Sequence, residues 1–477
     1  MSAAVWTGLA LVGALDARVS GGVPASVSGI SIDTRTIEPG ELFFAIKGEN
    51  NDGHDYVGAA FERGAAACVI DETHADALIG KGVCFIVRDT LAALQQLGRA
   101  SRERSHAQII AVTGSVGKTS TKEALRTVFS TAGATHASAA SYNNHWGVPL
   151  TLARMPPETQ YGVFEIGMNH AGEITPLVAL VRPHIVMITK IAPVHLEYFE
   201  SIDAIADAKA EIFAGLVENG VAIINRDDAQ FDRLRERAQE NAVSHVLSFG
   251  EHAEADAHLV GAELGEDSSR VRARILDRDL TYELGVSGKH FALNSLAVLL
   301  AAHAAGVDLD RASSALAYIE APAGRGRREN LPTREGQITL IDESYNANPA
   351  SMQAALDLLG SAKLSGEGRR IAVLGDMLEL GQQSIALHSG LAEHIERNAV
   401  DMVFAAGNDM RHLFDALPER IRGTWVPRAS ELHAPVIEAV HGGDIVMVKG
   451  SNGSRMGPLV AALRDHFRAR ATASAEG

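Results

Sequence analysis

The stretch Ile109-Ile110-Ala111-Val112-Thr113-Gly114-Ser115-Val116-Gly117-Lys118-Thr119-Ser120 constrains this chain more than any other. A β-branched, apolar run ends in a glycine-rich turn, and an amphipathic helix follows at once. In it Leu125, Val128 and Phe129 recur at i, i+3 and i+4, with Gly133 at the C-cap position. Strand, glycine loop and helix N-terminus make an anion cradle. Backbone N–H groups face a phosphate, Lys118 reaches the outer phosphates, and the Thr119 hydroxyl can ligate Mg²⁺. Thr113, Gly114, Ser115, Val116, Gly117, Lys118, Thr119 and Ser120 are therefore the candidate nucleotide-binding residues. Val112 stands where the longer pattern G-x-x-x-x-G-K-[ST] has its first glycine, so the match is to the shorter T-G-x-x-G-K-T form. The alternative is a surface loop that merely contains Gly, Lys and Thr, and the strand before and helix after argue against it.

At 477 residues the chain exceeds one hydrophobic core, which predicts about two to four domains. Apolar content of 46% with 21% charged residues reads as ordered and globular. A net charge of −16 argues against a dedicated nucleic-acid binder, which needs a basic surface. Cys68 and Cys84 are too few for a disulfide framework or a zinc ribbon, so a reducing cytoplasm is expected. The apolar run Val5–Leu15 lacks a basic flank before Arg18 and is too short to span a bilayer. Trp6, Leu9, Ala10 and Gly13 fit one face of a short helix there. No membrane insertion is expected.

In chain order, residues 1–90 read as a small α+β domain with strands at Glu41–Ile46, Ala66–Ile70 and Val83–Val87 and a helical piece at Tyr56–Gly64. Two polar clusters, Ser31–Thr36 and Lys47–Asp55, are turn-like; their other reading is a polar pocket in which Arg35 and Lys47 meet a diphosphate. Thr90–Arg104 is a helix leading into a second domain, 91–323. Its near-continuous apolar strands (Ile109–Val112, Tyr161–Ile166, His184–Ile188, Val221–Asn225) alternate with helices, which means a parallel sheet covered on both faces. A β-rich acidic stretch follows between about 245 and 290, then an Ala/Leu-rich helix opened by Gly288–Asn294. Ala321–Arg328 reads as a linker whose arginines either are solvated or close on a triphosphate. A third domain, 324–477, alternates again, with strands at Ile338–Ile341, Ile371–Leu374, Met402–Ala405 and Ile445–Val448.

Ligands of such sheets sit at the carboxyl ends of the strands, and that rule gathers scattered residues into one site. Glu165 ends the second central strand and His195 follows the third, so both should face Lys118 and Thr119 as metal ligands. Histidine is not a favoured Mg²⁺ ligand, which leaves room for Mn²⁺. Lys209 stands within the apolar face formed by Ile202, Ile205, Ile212, Phe213 and Leu216 of the helix Ser201–Leu216. From the residues alone it either snorkels outward or serves chemistry. Three loops of the third domain, Asp342–Pro349, Gly375–Gly381 and Lys449–Ser451, should hold a second substrate; no G-x-G-x-x-G follows its strands, which speaks against a dinucleotide site.

Taken in order, T-G-S-V-G-K-T, E-I-G-M-N-H, A-P-V-H-L, A-K-A-E-I-F, D-E-S-Y-N-A-N-P, L-G-D-M-L-E-L-G and K-G-S resemble the Mur ligases over essentially the whole chain. Y-N-A-N-P and L-G-D-M-x-E-L-G are similar to the members that join D-alanyl-D-alanine to UDP-N-acetylmuramoyl-tripeptide. The D-N-P-R motif of the diaminopimelate-adding members is absent. Folylpolyglutamate synthases share the loop and the lysine but not the N-terminal D-T-R and L-F-F-A-I-K-G.

The resemblance implies an α/β protein of three domains: a small α+β domain for the UDP-muramoyl peptide, a central phosphate-loop ATPase sheet, and a Rossmann-like C-terminal domain for the dipeptide. ATP and Mg²⁺ are the implied cofactors, and a cytoplasmic monomer is expected. Lys118 and Thr119 would hold phosphates and Mg²⁺; Glu165, His195 and Lys209 match the family's metal-side residues, Lys209 as a carbamylated lysine. Asn294, Arg325 and Asp342 would contact ATP. Thr34, Arg35, Lys47 and Gly48 would line the uridine-diphosphate pocket, and Asn143 and Asn144 would hold the muramoyl-peptide side. Tyr345, Asn346 and Asn348 would lie near the dipeptide. Two departures stand out: Phe291 where the family often has the first Asn of H-N-x-x-N, and D-T-R where D-S-R is common.

Overall fold

The computed structural model describes residues 4–48, 50–194, 196–333 and 336–475, without the side chains of 470–475. Three sheets dominate, each with its own core. In the first, five strands run in the order Arg18–Ser20, Cys84–Val87, Ala67–Asp71, Leu42–Phe44, Ile30–Ser31. All pairings there are parallel except the edge strand Arg18–Ser20. Near the N-terminus the buried face differs from the one expected. The helix is Gly8–Leu15, and Leu11 and Leu15 point inward with Trp6, whereas Leu9 is 80% exposed. The chain enters this helix from a short strand, Trp6–Thr7, that pairs with Ser26–Val27, and this shifts the phase of the helix.

The helix Thr90–Glu103 carries the chain into the central domain, its first turn capped by the Asp89 carboxylate on the Ala92 N–H. The central sheet has nine strands. Seven are parallel, in the order Thr135–Ala137, Tyr161–Glu165, Gln108–Thr113, Ile185–Ile188, Val221–Asn225, His245–Gly250, Ala257–Leu264; then Ser269–Ile275 and Arg278–Leu284 add on antiparallel. The β-rich stretch seen in sequence thus extends the same sheet. Apolar strand residues feed two cores, one on each face. One packs under the helices Lys118–Ala132 and Lys289–Ala304, the other under Ile174–Val181 and Ile202–Ala210. The expected helix Ser201–Leu216 ends its α-helical part at Ala210 and tightens into a 3₁₀ turn, Glu211–Gly215. Ile202, expected on the apolar face, is 41% exposed in the first turn.

In the C-terminal sheet the order is Arg327–Thr333, Gly336–Glu343, Ile445–Lys449, Arg370–Gly375, Met402–Ala406, Arg422–Val426, parallel but for the first strand. Arg327 and Arg328, expected in the linker, begin that strand, opposite Asp342 and Ile341, so the irregular connection ends at Gly326. Among the described residues no helix is long and apolar enough to cross a membrane.

Candidate active site

The phosphate loop joins the strand Gln108–Thr113 to the helix Lys118–Ala132, with Gly117 as N-cap at φ +87°. Only glycine suits this position: a Cβ would lie 2.7 Å from the Asn294 side-chain nitrogen, in a backbone region L-residues avoid. The loop is laced to the neighbouring strand end. Ser115 N–H donates to the Lys190 carbonyl (2.7 Å), Ser115 Oγ to Ala192 O (3.0 Å), and Thr189 Oγ1 to Val116 O (2.6 Å). Lys118 Nζ folds back to donate to Gly114 O at 2.7 Å. Thr119 is buried, its hydroxyl sharing a hydrogen bond with Ser141 Oγ at 3.2 Å.

Glu165 ends the adjacent strand, 1% exposed. Its Oε1 accepts from Asn143 Nδ2 at 2.7 Å, while Oε2 is buried without a partner. An orphaned carboxylate oxygen at the end of a parallel strand, beside a buried lysine, suits a hard cation or a cationic group. Lys118 and Lys209 lie close enough to interact. Burial pushes the Lys118 ammonium below the usual lysine range; Glu165 opposes that and Arg325 adds to it. Lys209 does not snorkel. It is 1% exposed, and burial, reinforced by the Lys118 charge, drives it well below the ordinary value. His195 lies outside the described residues.

A cavity of about 860 Å³ opens between the central and C-terminal sheets. Ser115, Val116, Gly117, Lys118, Ser120, Asn143, Glu165 and Asn294 line it from the central domain, Arg325, Tyr345, Asn346 and Asn348 from the C-terminal side. The Arg325 guanidinium sits 4.3 Å over the Tyr345 ring. Thr113, Gly114, Thr119 and Lys209 are not part of this lining. Asp342 is also set back: Ser344 donates to its Oδ1 and Arg464 to its Oδ2 (3.0 Å). The Asn348 side chain is occupied as a helix cap, its Oδ1 accepting from Ser351 N–H at 2.9 Å and leaving only its amide N–H groups for a ligand.

Thr34, Arg35, Lys47 and Gly48 do not reach this cavity. Arg35 is exposed and pairs with Asp33, and Lys47 and Gly48 form a turn closed by the Gly48 N–H to Asn51 O bond (2.9 Å). Asn144 is held by the Gly147 N–H on its Oδ1 (3.0 Å). Tyr142, one residue before Asn143, packs against the core of the N-terminal sheet, so the loop 138–146 links the two regions.

Lys449 of the K-G-S motif and Glu343 of D-E-S-Y-N-A-N-P complete the lining with His290 and Asn225. Lys449 is 1% exposed and donates to Glu343 Oε2 and to Asn346 O, both at 3.0 Å. His290, at the start of the helix Lys289–Ala304, is pushed below the usual histidine range by burial, against the pull of Glu343 and with the push of Lys449. Asn225 donates to Thr189 O (3.2 Å), and Asp228 accepts the Ile191 N–H (2.7 Å), bracing the third strand end. Asn225 and Asp228 follow the same carboxyl-end rule that found Glu165. His290 lies outside that rule and is instead the histidine of the H-N-x-x-N pattern in which Phe291 replaces the first Asn.

Three family models cover most of the chain: "Mur ligase family, catalytic domain" over residues 26–111, "Mur ligase middle domain" over 112–302 and "Mur ligase, glutamate ligase domain" over 326–452. The UDP-N-acetylmuramoyl-tripeptide–D-alanyl-D-alanine ligase of Rickettsia prowazekii is 32% identical over 96% of this chain and 99% of its own. That of Escherichia coli is 32% identical over 93% and 95%. Among solved structures, MurF from Acinetobacter baumannii superposes with a TM-score of 0.82 at 30% identity, covering 96% of this chain and 99% of that one. The MurF ligase of Thermotoga maritima in complex with ADP, at 24% identity, shares the fold with a TM-score of 0.75 over 93% and 98%. With matches along nearly its whole length, and with a phosphate loop and a buried carboxylate lining one cavity, this chain belongs to the Mur ligase family.

Proposed function

We propose that the chain is an ATP-dependent ligase that joins D-alanyl-D-alanine to UDP-N-acetylmuramoyl-tripeptide, forming ADP and phosphate, a step of peptidoglycan precursor synthesis. The observation that carries this reading is the single cavity lined on one side by the phosphate loop and Glu165, and on the other by Arg325 and the Tyr345–Asn348 loop. An ATPase that only switches shape has no need for a second sheet's strand-end loops across from its γ-phosphate.

The terminal carboxylate of the tripeptide attacks the γ-phosphorus of ATP; the P–O bond to ADP breaks and an acyl phosphate forms. The dipeptide amine, having lost its proton, then attacks the acyl carbon, and phosphate leaves with the electron pair of the C–O bond. Anion meets anion in the first step, so cations must gather around the triphosphate. Lys118 swings from Gly114 O to the phosphates, whose charge favours its ammonium form. Arg325 approaches from the C-terminal side. The donor set fits Mg²⁺: the Thr119 hydroxyl and the unpartnered Glu165 Oε2 are hard oxygens. Bound there, Mg²⁺ would neutralise phosphate charge. Burial favours the neutral amine of Lys209, which would add to CO₂ and release a proton, giving a carbamate that replaces a poor metal ligand with an oxygen donor. Cavity walls from two domains exclude water from the acyl phosphate.

In this reading residues 1–90 take the UDP-muramoyl end through Thr34, Arg35, Lys47 and Gly48, residues 91–323 take ATP, and residues 324–477 take the dipeptide. Asn294 and Asp342 complete the ATP side, Asn144 the muramoyl-peptide side, and His195 the metal side. The protein works as a monomer in the cytoplasm; its two cysteines are buried free thiols, in keeping with a reducing compartment. The test is phosphate release from ATP with the UDP-tripeptide, with and without D-alanyl-D-alanine, with product mass read in parallel. Turnover requiring all three substrates and yielding the pentapeptide is expected. Turnover with a different amine in place of the dipeptide overturns the substrate assignment.

A further inference from the structure

Lys122 is fully buried and belongs to none of the motifs that bind substrate. One turn into the helix Lys118–Ala132, its Nζ donates to Ser138 O (2.8 Å) and to Ala140 O (2.9 Å) and pairs with Glu123, which Arg126 also holds. A buried ammonium is costly unless it is fully satisfied, and here the main-chain carbonyls of one loop satisfy it. That loop, 138–146, is not relaxed: Ala140 has φ +46°, a left-handed conformation that a non-glycine residue avoids. The ammonium on the Ala140 carbonyl offsets that strain.

The loop in turn sets the two oxygen donors of the site. Ser138 Oγ accepts the Glu165 N–H (3.3 Å), Ser141 Oγ meets Thr119 Oγ1 (3.2 Å), and Asn143 Nδ2 donates to Glu165 Oε1 (2.7 Å). Asn143 O accepts the Gly167 N–H (2.8 Å), fixing the far end of the loop beside Glu165. Releasing the loop at Ser138 and Ala140 would therefore loosen Thr119 and Glu165 together, although Lys122 touches neither.

We infer that Lys122 is a positioning residue that, through the loop 138–146, orients Thr119 and Glu165 for the divalent cation of the nucleotide complex. The inference rests on the reading of these two side chains as cation ligands.

The test is ADP affinity with and without Mg²⁺, for the wild type and Lys122→Met, with thermal unfolding recorded alongside. Outer partners of metal ligands typically contribute roughly 10–100-fold in metal affinity or activity. Lys122→Met is expected to unfold cooperatively, to bind metal-free ADP as the wild type does, and to lose about tenfold or more of the Mg²⁺ enhancement. A Lys122→Met protein with a lower melting temperature but intact Mg²⁺ enhancement overturns the inference. If Lys122→Met does not fold, Ser141→Ala decides: the buried lysine stays, and the Mg²⁺ enhancement should still fall, whereas an unchanged value overturns the inference. A wild type whose ADP affinity ignores Mg²⁺ refutes instead the reading of Thr119 and Glu165 as cation ligands.

Discussion

Glu165 and Lys209 are ionisable groups in buried positions from which the fold gains no stability. Glu165 Oε2 is buried and unpartnered, and Lys209 is surrounded by the apolar residues of its own helix. Glu165→Gln keeps the hydrogen bond from Asn143 possible and removes the charge. It should cost about 10²–10³ in kcat, the size typical of one electrostatic donor or acceptor at a reacting centre, with no loss of melting temperature. Steady-state kinetics beside a thermal scan checks both. Lys209 has a folded-state value far below its unfolded one, so the folded chain binds fewer protons than the unfolded chain. Its penalty is therefore present at neutral pH and disappears as pH rises toward the ordinary lysine value of about 10.4. In CO₂-depleted buffer Lys209→Met should melt higher than the wild type at pH 7, and the gap should narrow by pH 10. Wild-type activity should fall in the same depleted buffer and return with bicarbonate; Lys209→Met should not respond.

At the scale of single elements, the phosphate loop was legible because its glycines, lysine and hydroxyl must stand at fixed spacing between a strand and a helix. Gly117→Ala tests that spacing: the positive φ costs about 1–2 kcal/mol and the new Cβ meets Asn294, so ADP affinity should fall by roughly tenfold in a titration. Glu165 and the C-terminal loops were legible by the strand-end rule, since parallel strands announce themselves as apolar runs. Other features left no local trace. Leu9 and Ile202 were placed inside on helical periodicity, but each sits in a first turn whose phase is set by how the chain enters it. The antiparallel strand from Arg327 looked like linker because it is polar and lies at a sheet edge. Lys122 is a charged residue made interior by the main-chain carbonyls of Ser138 and Ala140, which no spacing in sequence reveals.

Across the whole molecule the three domains are joined unequally. The N-terminal and central domains are fastened by buried polar contacts. Trp6 Nε1 donates to Ala153 O (2.8 Å), Arg104 stacks 3.5 Å over Trp6, and Arg154 Nε donates to Ile30 O (2.6 Å). Between the central and C-terminal domains lies the cavity, bridged by the Glu197 N–H to Glu379 O bond (3.2 Å) and by Arg325 on the connecting segment. Composition and length announced several domains, but which pair is fastened and which pair encloses a cavity depends on contacts far apart in the sequence. Such an enclosure serves one purpose in this account, the transfer of an acyl group from phosphate to amine without loss to water. The most direct measurement follows the carboxylate oxygen. UDP-tripeptide labelled with ¹⁸O in its terminal carboxylate, turned over with ATP and D-alanyl-D-alanine, should release phosphate carrying one ¹⁸O from that carboxylate. Unlabelled phosphate alongside pentapeptide product would contradict the acyl-phosphate route and with it the role assigned to this cavity.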